Sequence, residues 1–245
     1  FKERGLSTEY LLRTNLRPTT LKSRIIAHQQ HVVRVDREQT EPIGADLEKQ
    51  ALGMIKVALA DCQAVLISDY HKGFLTDRLT RQAIGMAQKA SIPVLVDPKS
   101  VHWRKYQGAT IITPNRAEAE TAAHMPIIDQ DSLERAASKL IRLGKLRYLL
   151  VTLSEKGMSL FDRNGLCFHI PAIAKAVFDI TGAGDSVISA MALALGRRWP
   201  MEQAIITANL AASVVVAKVG TATASISELK QLLQQLGEAE LTGKA

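Results

Sequence analysis

Cysteine is nearly absent: Cys62 and Cys167 are the only two in 245 residues, far apart and outside any CxxC spacing. That excludes a disulfide framework and a zinc ribbon, and it fits a reducing, cytoplasmic setting. Aromatic residues make up only 4% of the chain. They are too sparse to interleave with basic side chains as a nucleic-acid surface requires, so the net charge of +7 is not read as a polynucleotide footprint. No long uninterrupted apolar run occurs either. The most apolar stretch, Ala204 to Val219, is broken by Thr207, Asn209, Ser213 and Lys218, as in a buried helix of a soluble protein and unlike a membrane span. Starting at Phe1 with neither an initiator Met nor a basic-then-apolar leader, the chain reads as a piece of a longer polypeptide.

Several catalytic signatures are missing as well. There is no GxxxxGK followed by Ser or Thr, so no P-loop, and Gly182 and Gly184 lack the third glycine of a dinucleotide fingerprint. His28, His31, His71, His102, His124 and His169 show no HExxH or paired metal-ligand spacing, which excludes a zinc hydrolase. No GxSxG elbow is present, and Ser186 has no triad order around it.

What is present is a rhythm. Gln63 to Ser68, Pro93 to Asp97, Thr110 to Thr113 and Tyr148 to Thr152 are apolar with little alternation, as expected of parallel strands covered on both faces. Helical stretches at Asp77 to Ala90, Asn115 to Ala123 and Ser132 to Leu143 separate them, predicting an α/β fold with a mostly parallel sheet flanked by helices. GMSLF and LCFHIP then read as a hairpin, followed by helices starting near Gly182, Met201 and Ser225. With 47% apolar and 22% charged residues, one core accommodates all of this as a single domain over residues 1–245. The first forty residues stand apart: eight basic and four acidic side chains carry four of the seven excess charges. Lys22 to Asp36 alternates like a solvated strand pair, so residues 17–40 are expected to form part of a small β flap or lid.

The strongest chemical signal is DITGAGD, Asp179 to Asp185, followed by the helical run SVISAMALAL. Glycines around an alanine at a helix start let backbone N–H groups converge on one point, where the helix dipole adds positive potential. An anion fits there, and Asp185 in the same turn is placed to receive a hydroxyl proton during phosphoryl transfer. An ordinary acidic helix start would read the same way in isolation. Its context is what distinguishes it: Ser68-Asp69-Tyr70, Asp97-Pro98-Lys99, Thr113-Pro114-Asn115 and Thr152-Leu153-Ser154 each follow a strand. In a parallel sheet those carboxyl ends share one edge, where ligands bind in open α/β folds.

DITGAGD with its small-residue helix resembles the second signature of the ribokinase-like, PfkB-type carbohydrate kinases. SDYHKGFL, VLVDPK, YQGATIITPNRAEAE, YLLVTLSEKGMSLF, VFDITGAGD, ANLAASVVVAKVGTATAS and TLKSRIIAHQQHVVRVDRE resemble one branch of it, the heptose-phosphate kinases of ADP-heptose biosynthesis. The resemblance implies a ribokinase-like fold entered partway, since the opening strand with a sugar-binding Asp and the GGAxN segment do not occur. It implies ATP-dependent phosphorylation of D-glycero-β-D-manno-heptose 7-phosphate at the anomeric hydroxyl, with Mg2+ and a monovalent cation such as K+ as cofactors. A cytoplasmic homodimer serving lipopolysaccharide biosynthesis, without membrane or nucleic-acid partners, is the expected assembly.

By the same resemblance Asp185 is the catalytic base, and the amides of Gly182, Ala183 and Gly184 form the anion hole. Asn115, Arg116, Ala117 and Glu118 match the NxxE element near the ATP phosphates, with Glu118 acting indirectly on Mg2+. Thr152, Ser154 and Gly157 match the nucleotide-side turn, and Asn209 lies where the family lines its adenine pocket. An Asn inside an apolar helix also serves to bond a neighbouring loop. Asp179, Thr181 and Gly220 match the loops that hold the monovalent cation. Lys22, Arg24, Lys72 and Lys99 are candidates for the sugar phosphate, against the plainer reading of solvated surface charge. His71 stands where relatives carry a smaller residue. Two other readings stay open: a kinase for another sugar phosphate such as fructose or tagatose phosphate, and a noncatalytic nucleotide-binding fragment.

Overall fold

The computed structural model describes residues 3–236 except residues 4, 28–29, 100–101 and 174–176, and the side chains of residues 24, 26–27, 30 and 31. Its centre is a six-stranded sheet in the order β3 (Val65–Ser68), β4 (Val94–Asp97), β5 (Ile111–Ile112), β6 (Tyr148–Thr152), β7 (Met158–Asp162) and β8 (Gly165–Ile170). The first four strands run parallel and the last two form an antiparallel hairpin on β6.

The sheet is apolar on both faces because each is covered. Val94 and Val96 on β4 and Leu149 and Val151 on β6 point into one core with α2 (Asp77–Lys89), α3 (Arg116–Ala123) and α4 (Gln130–Gly144). The intervening Leu95 and Leu150 point the other way, against α5 (Ala183–Gly196) and α6 (Met201–Val216). This strand-by-strand alternation between two buried cores explains the unbroken apolar runs of the sequence. Trp103 and Tyr106, in a short 3-10 turn, close the first core and are 1% and 0% exposed. α1 (Ala45–Ala58) packs on α2 through a smaller cluster of Ile43, Leu47, Ala51 and Leu79. α7 (Ile226–Gln235) lies on α6. Among the described residues no helix is long and apolar enough to cross a membrane.

Outside this body, β1 (Leu21–Ala27) and β2 (Gln30–Arg37) form a two-stranded antiparallel ribbon. Pairing Lys22 with Asp36 and Ile25 with Val33 splits it into two unlike faces. Lys22, Arg34 and Asp36 lie on one; Leu21, Ile25, Val33 and Val35, roughly half exposed, lie on the other. Arg17 anchors the ribbon, donating to the carbonyls of Gln39, Glu41 and Lys72 at 2.6, 3.2 and 2.6 Å.

Candidate active site

Every parallel strand ends on the edge where the polar residues accumulate. Asp69 follows β3, Asp97 ends β4, Asn115 opens α3 after β5, and Thr152 ends β6. A parallel bridge between Asn115 and Thr152 ties two of these loops together, with the Thr152 N–H donating to the Pro114 carbonyl at 3.0 Å. The start of α5 faces the same edge, because the fields of Asp185, Glu118 and Lys99 all reach Asp97.

At that start Gly182 adopts φ 83°, a left-handed conformation that glycine takes without strain, and no side chain caps the helix. α1 and α6 are uncapped too, whereas Thr76 caps α2, Asn115 α3, Asp129 α4 and Ser225 α7. The three amides expected to form an anion hole are not equivalent. Ala183 donates to the Ile180 carbonyl at 3.2 Å, closing a turn, so its N–H is already engaged. Gly182 and Gly184 have no such partner among the described residues, and these amides remain for an anion. Asp185 is exposed in this first turn.

Opposite it, Glu118 does two things at once. One carboxylate oxygen accepts the Asn115 N–H at 2.9 Å, completing a capping box in which Asn115 Oδ1 accepts the Glu118 N–H at 2.9 Å; the other pairs with Lys99. Lys99 therefore stands beside the reaction edge, its pKa raised: burial lowers it, but the bond to Glu118 and the charges of Asp97 and Asp185 outweigh that. Burial pushes Asp97 up to about 6, with Lys99 opposing and Glu118, Asp185 and Asp69 adding to the rise. Arg116, by contrast, bonds Glu120 at 3.2 Å on the exposed side of α3, and Ala117 is exposed beside it.

Of the other sequence-selected residues, Ser154 and Gly157 form a tight turn after β6 that requires glycine. Gly157 has φ 82°, and a Cβ there would lie 2.0 Å from the Ile170 carbonyl oxygen. Asn209 is 3% exposed and donates from Nδ2 to the Pro171 carbonyl at 2.9 Å, so it holds the loop after β8. Asp179 accepts N–H bonds from Thr181 at 2.8 Å and Gly220 at 3.1 Å, bringing the two loops expected at a cation together. Lys22 and Lys72 meet at Glu38: Lys72 Nζ is 2.5 Å and Lys22 Nζ 3.8 Å from its carboxylate, and Lys22 also bonds Asp36 at 3.1 Å. Both are ion-paired already, and the Arg24 side chain lies outside the described residues.

Sequence reasoning missed the support beneath this edge. Asp69 is buried with Lys105 Nζ at 2.5 Å, a bond from the Tyr106 hydroxyl, and the His71 N–H at 2.8 Å. Burial raises the Asp69 carboxyl, but those bonds outweigh it and hold it below the ordinary carboxylate range. His71 takes φ 54° to make its bond, a left-handed conformation that disfavours larger side chains.

Comparison with known proteins agrees with this geometry. The model of the pfkB family of carbohydrate kinases matches residues 1–228. A bifunctional protein HldE of Trichlorobacter lovleyi is 42% identical over 229 residues, 94% of this chain and 47% of that protein. One from Nitratiruptor sp. is 44% identical over 239 residues, 98% of this chain and 50% of that protein. The chain thus spans about half the length of the curated relatives it matches. Among solved structures, Arabidopsis thaliana ribokinase complexed with ribose and ATP superposes with a TM-score of 0.71 at 23% identity, over 90% of this chain and 70% of that one. Phosphofructokinase-2 from Escherichia coli in complex with potassium gives 0.73 at 19% identity, over 89% and 71%. At such identities the structural likeness concerns the fold, whereas the family match runs through the DITGAGD turn and nearly the whole chain. This chain belongs to the pfkB family of carbohydrate kinases.

Proposed function

We propose that this kinase transfers the γ-phosphoryl group of ATP to the anomeric hydroxyl of D-glycero-β-D-manno-heptose 7-phosphate, giving the 1,7-bisphosphate used in ADP-heptose and lipopolysaccharide-core biosynthesis in the cytoplasm. The observation that carries the chemistry is the uncapped start of α5, with Asp185 in its first turn. The sugar oxygen attacks the γ-phosphorus, the bond to the β-phosphate oxygen breaks, and the hydroxyl proton passes to the Asp185 carboxylate. In a loose transition state the proton leaves late, so positioning carries most of the acceleration. The Gly182 and Gly184 amides meet the charge on the transferring group, and Lys99 neutralises charge at the same edge. Glu118 and Asp97, hard oxygen donors, would be the residues to hold Mg2+ at this edge, where it would neutralise charge on the ATP phosphates.

The heptose assignment rests on the resemblance of the SDYHKG and KSRIIAHQQHVVRVDRE segments, which contain Lys22, Arg24 and Lys72. A sugar phosphate on this face would take Lys22 and Lys72 from Glu38. The outward apolar face of the ribbon supports a homodimer in which a second ribbon covers it. The tie between Thr181, Asp179 and Gly220 supports K+ between those loops. ATP turnover with heptose 7-phosphate against fructose 6-phosphate and tagatose 6-phosphate tests the reading, with Asp185→Asn as control. Preference for a hexose phosphate overturns the heptose assignment, and no turnover with any sugar overturns the catalytic one.

A further inference from the structure

The edge of the sheet opposite Asp185 has a feature that phosphoryl transfer does not use. There the chain leads into β4, β5 and β6, β7 turns into β8, and α5 gives way to α6, lining an open cavity of about 960 Å3. That lies at the upper end of small-molecule sites, about 300–1,000 Å3. Since α5 has 14 residues, the cavity is about 20 Å from the catalytic turn at 1.5 Å per residue.

Four cations line it: Lys145, Arg147, Arg163 and Arg198. None is in an ion pair among the described residues, although Lys22, Lys72, Lys99 and Lys105 on the catalytic side all are. The single carboxylate in the lining, Asp162, accepts the Asn164 N–H at 2.7 Å within the hairpin turn. Helix C-termini attract cations, which accounts for Lys145 after α4 and Arg198 after α5. It does not account for Arg147 at the foot of β6 or Arg163 in the hairpin turn. All four are exposed and individually solvated, but gathered around one cavity without a paired carboxylate they favour an anionic ligand.

The wall between them is apolar and aromatic: Ile92, Tyr148, Leu195 and Trp199. Trp199 is 47% exposed, and the Arg147 guanidinium lies 5.3 Å from the centre of the Tyr148 ring. An inorganic anion has no use for such a wall, whereas a planar aromatic group stacks on it. We propose that this cavity is a second ligand site, binding a free nucleoside phosphate with its phosphates on the four cations and its base against Trp199.

Because ADP also binds the catalytic edge of a kinase, the test counts equivalents. Equilibrium dialysis with ADP should give two per chain, and the second should quench Trp199 emission while Trp103, 1% exposed, stays silent. In Arg147→Glu/Arg198→Glu the second equivalent should weaken by at least about tenfold and the quench vanish, with kinase turnover and Tm unchanged. In Trp199→Leu, ADP should weaken at this site while inorganic pyrophosphate does not. One equivalent with no change in Trp199 emission overturns the proposal. So does tighter binding of an oligoribonucleotide or a polyglutamate peptide than of ADP, which would make this surface a polymer or protein dock.

Discussion

Lys105 Nζ lies 2.5 Å from Asp69 Oδ2, with the two side chains 5% and 3% exposed. Lys105 also donates to the Leu75 carbonyl at 3.1 Å, so one ammonium joins the end of β3 to the segment leading into α2. Removing one member of a buried pair strands the other charge. Lys105→Met should therefore cost about 3–5 kcal/mol in urea unfolding. Lys105→Met/Asp69→Asn should cost less than the two single changes together, and simple additivity would refute the pairing.

Asp185 is exposed and its side chain makes no hydrogen bond or ion pair among the described residues, so its replacement separates chemistry from folding. Asp185→Asn should lower kcat by about 100-fold to 10,000-fold while leaving Tm unchanged. A loss of Tm comparable to the loss of rate would place Asp185 in the structure instead.

Asp97, raised to about 6, binds a proton in the folded state that an unfolded carboxyl of about 4 releases. Between those two values stability falls as pH rises, because ionising Asp97 costs more inside the protein than outside. Asp97→Asn should stabilise the chain by about 1 kcal/mol at pH 8, after allowing for partial exposure, and by almost nothing at pH 4. Thermal melts of both proteins across that range check the sign, and a gain that grows toward acid would contradict it.

Two glycines, Gly157 and Gly184, should answer alanine in opposite ways. Gly157 is left-handed and pressed on the Ile170 carbonyl, so Gly157→Ala should lower stability by about 2 kcal/mol or more. Gly184 lies in the first turn of α5 with nothing within 4 Å of an added Cβ. Gly184→Ala should leave Tm equal or higher, yet raise KM for ATP by crowding the anion position. Kinetics and melts on the two variants discriminate the structural glycine from the ligand-facing one.

The outward face of the ribbon is the fifth target. Val33→Lys/Val35→Lys places charges where Leu21, Ile25, Val33 and Val35 are exposed together. Sedimentation should show a dimer in the parent chain and a monomer in the variant. A parent chain that sediments as a monomer would remove the ribbon from the assembly.

The α/β rhythm was legible because Val94 to Val96 and Leu149 to Val151 must satisfy two cores at once, leaving apolar runs bounded by polar strand ends. The DITGAGD turn was legible because glycines in a fixed order mark a sharp backbone turn into a helix, and Gly182 takes the left-handed conformation there. What escaped was long-range. α1 turns only Leu47, Glu48 and Ala51 fully inward, so its stripe is faint. Lys105 and Tyr106 are distant in sequence from Asp69, and neither carries a local sign that a buried carboxylate awaits it. The expected strand Thr110 to Thr113 is regular only at Ile111–Ile112, yet the N–H groups of Thr110 and Thr113 also reach β4, donating to the Val94 and Val96 carbonyls at 2.9 Å each. Asn209 carried the opposite difficulty: its place in an apolar helix suited both a base contact and a loop bond, and the structure shows its Nδ2 bonding the Pro171 carbonyl without deciding between them.

Glu118 is both the last stitch of the α3 capping box and the partner of Lys99. A ligand that draws this carboxylate outward leaves the Asn115 amide and the Lys99 ammonium to find new partners together. The first turn of α3 and the Lys99 ammonium thus hang on one carboxylate.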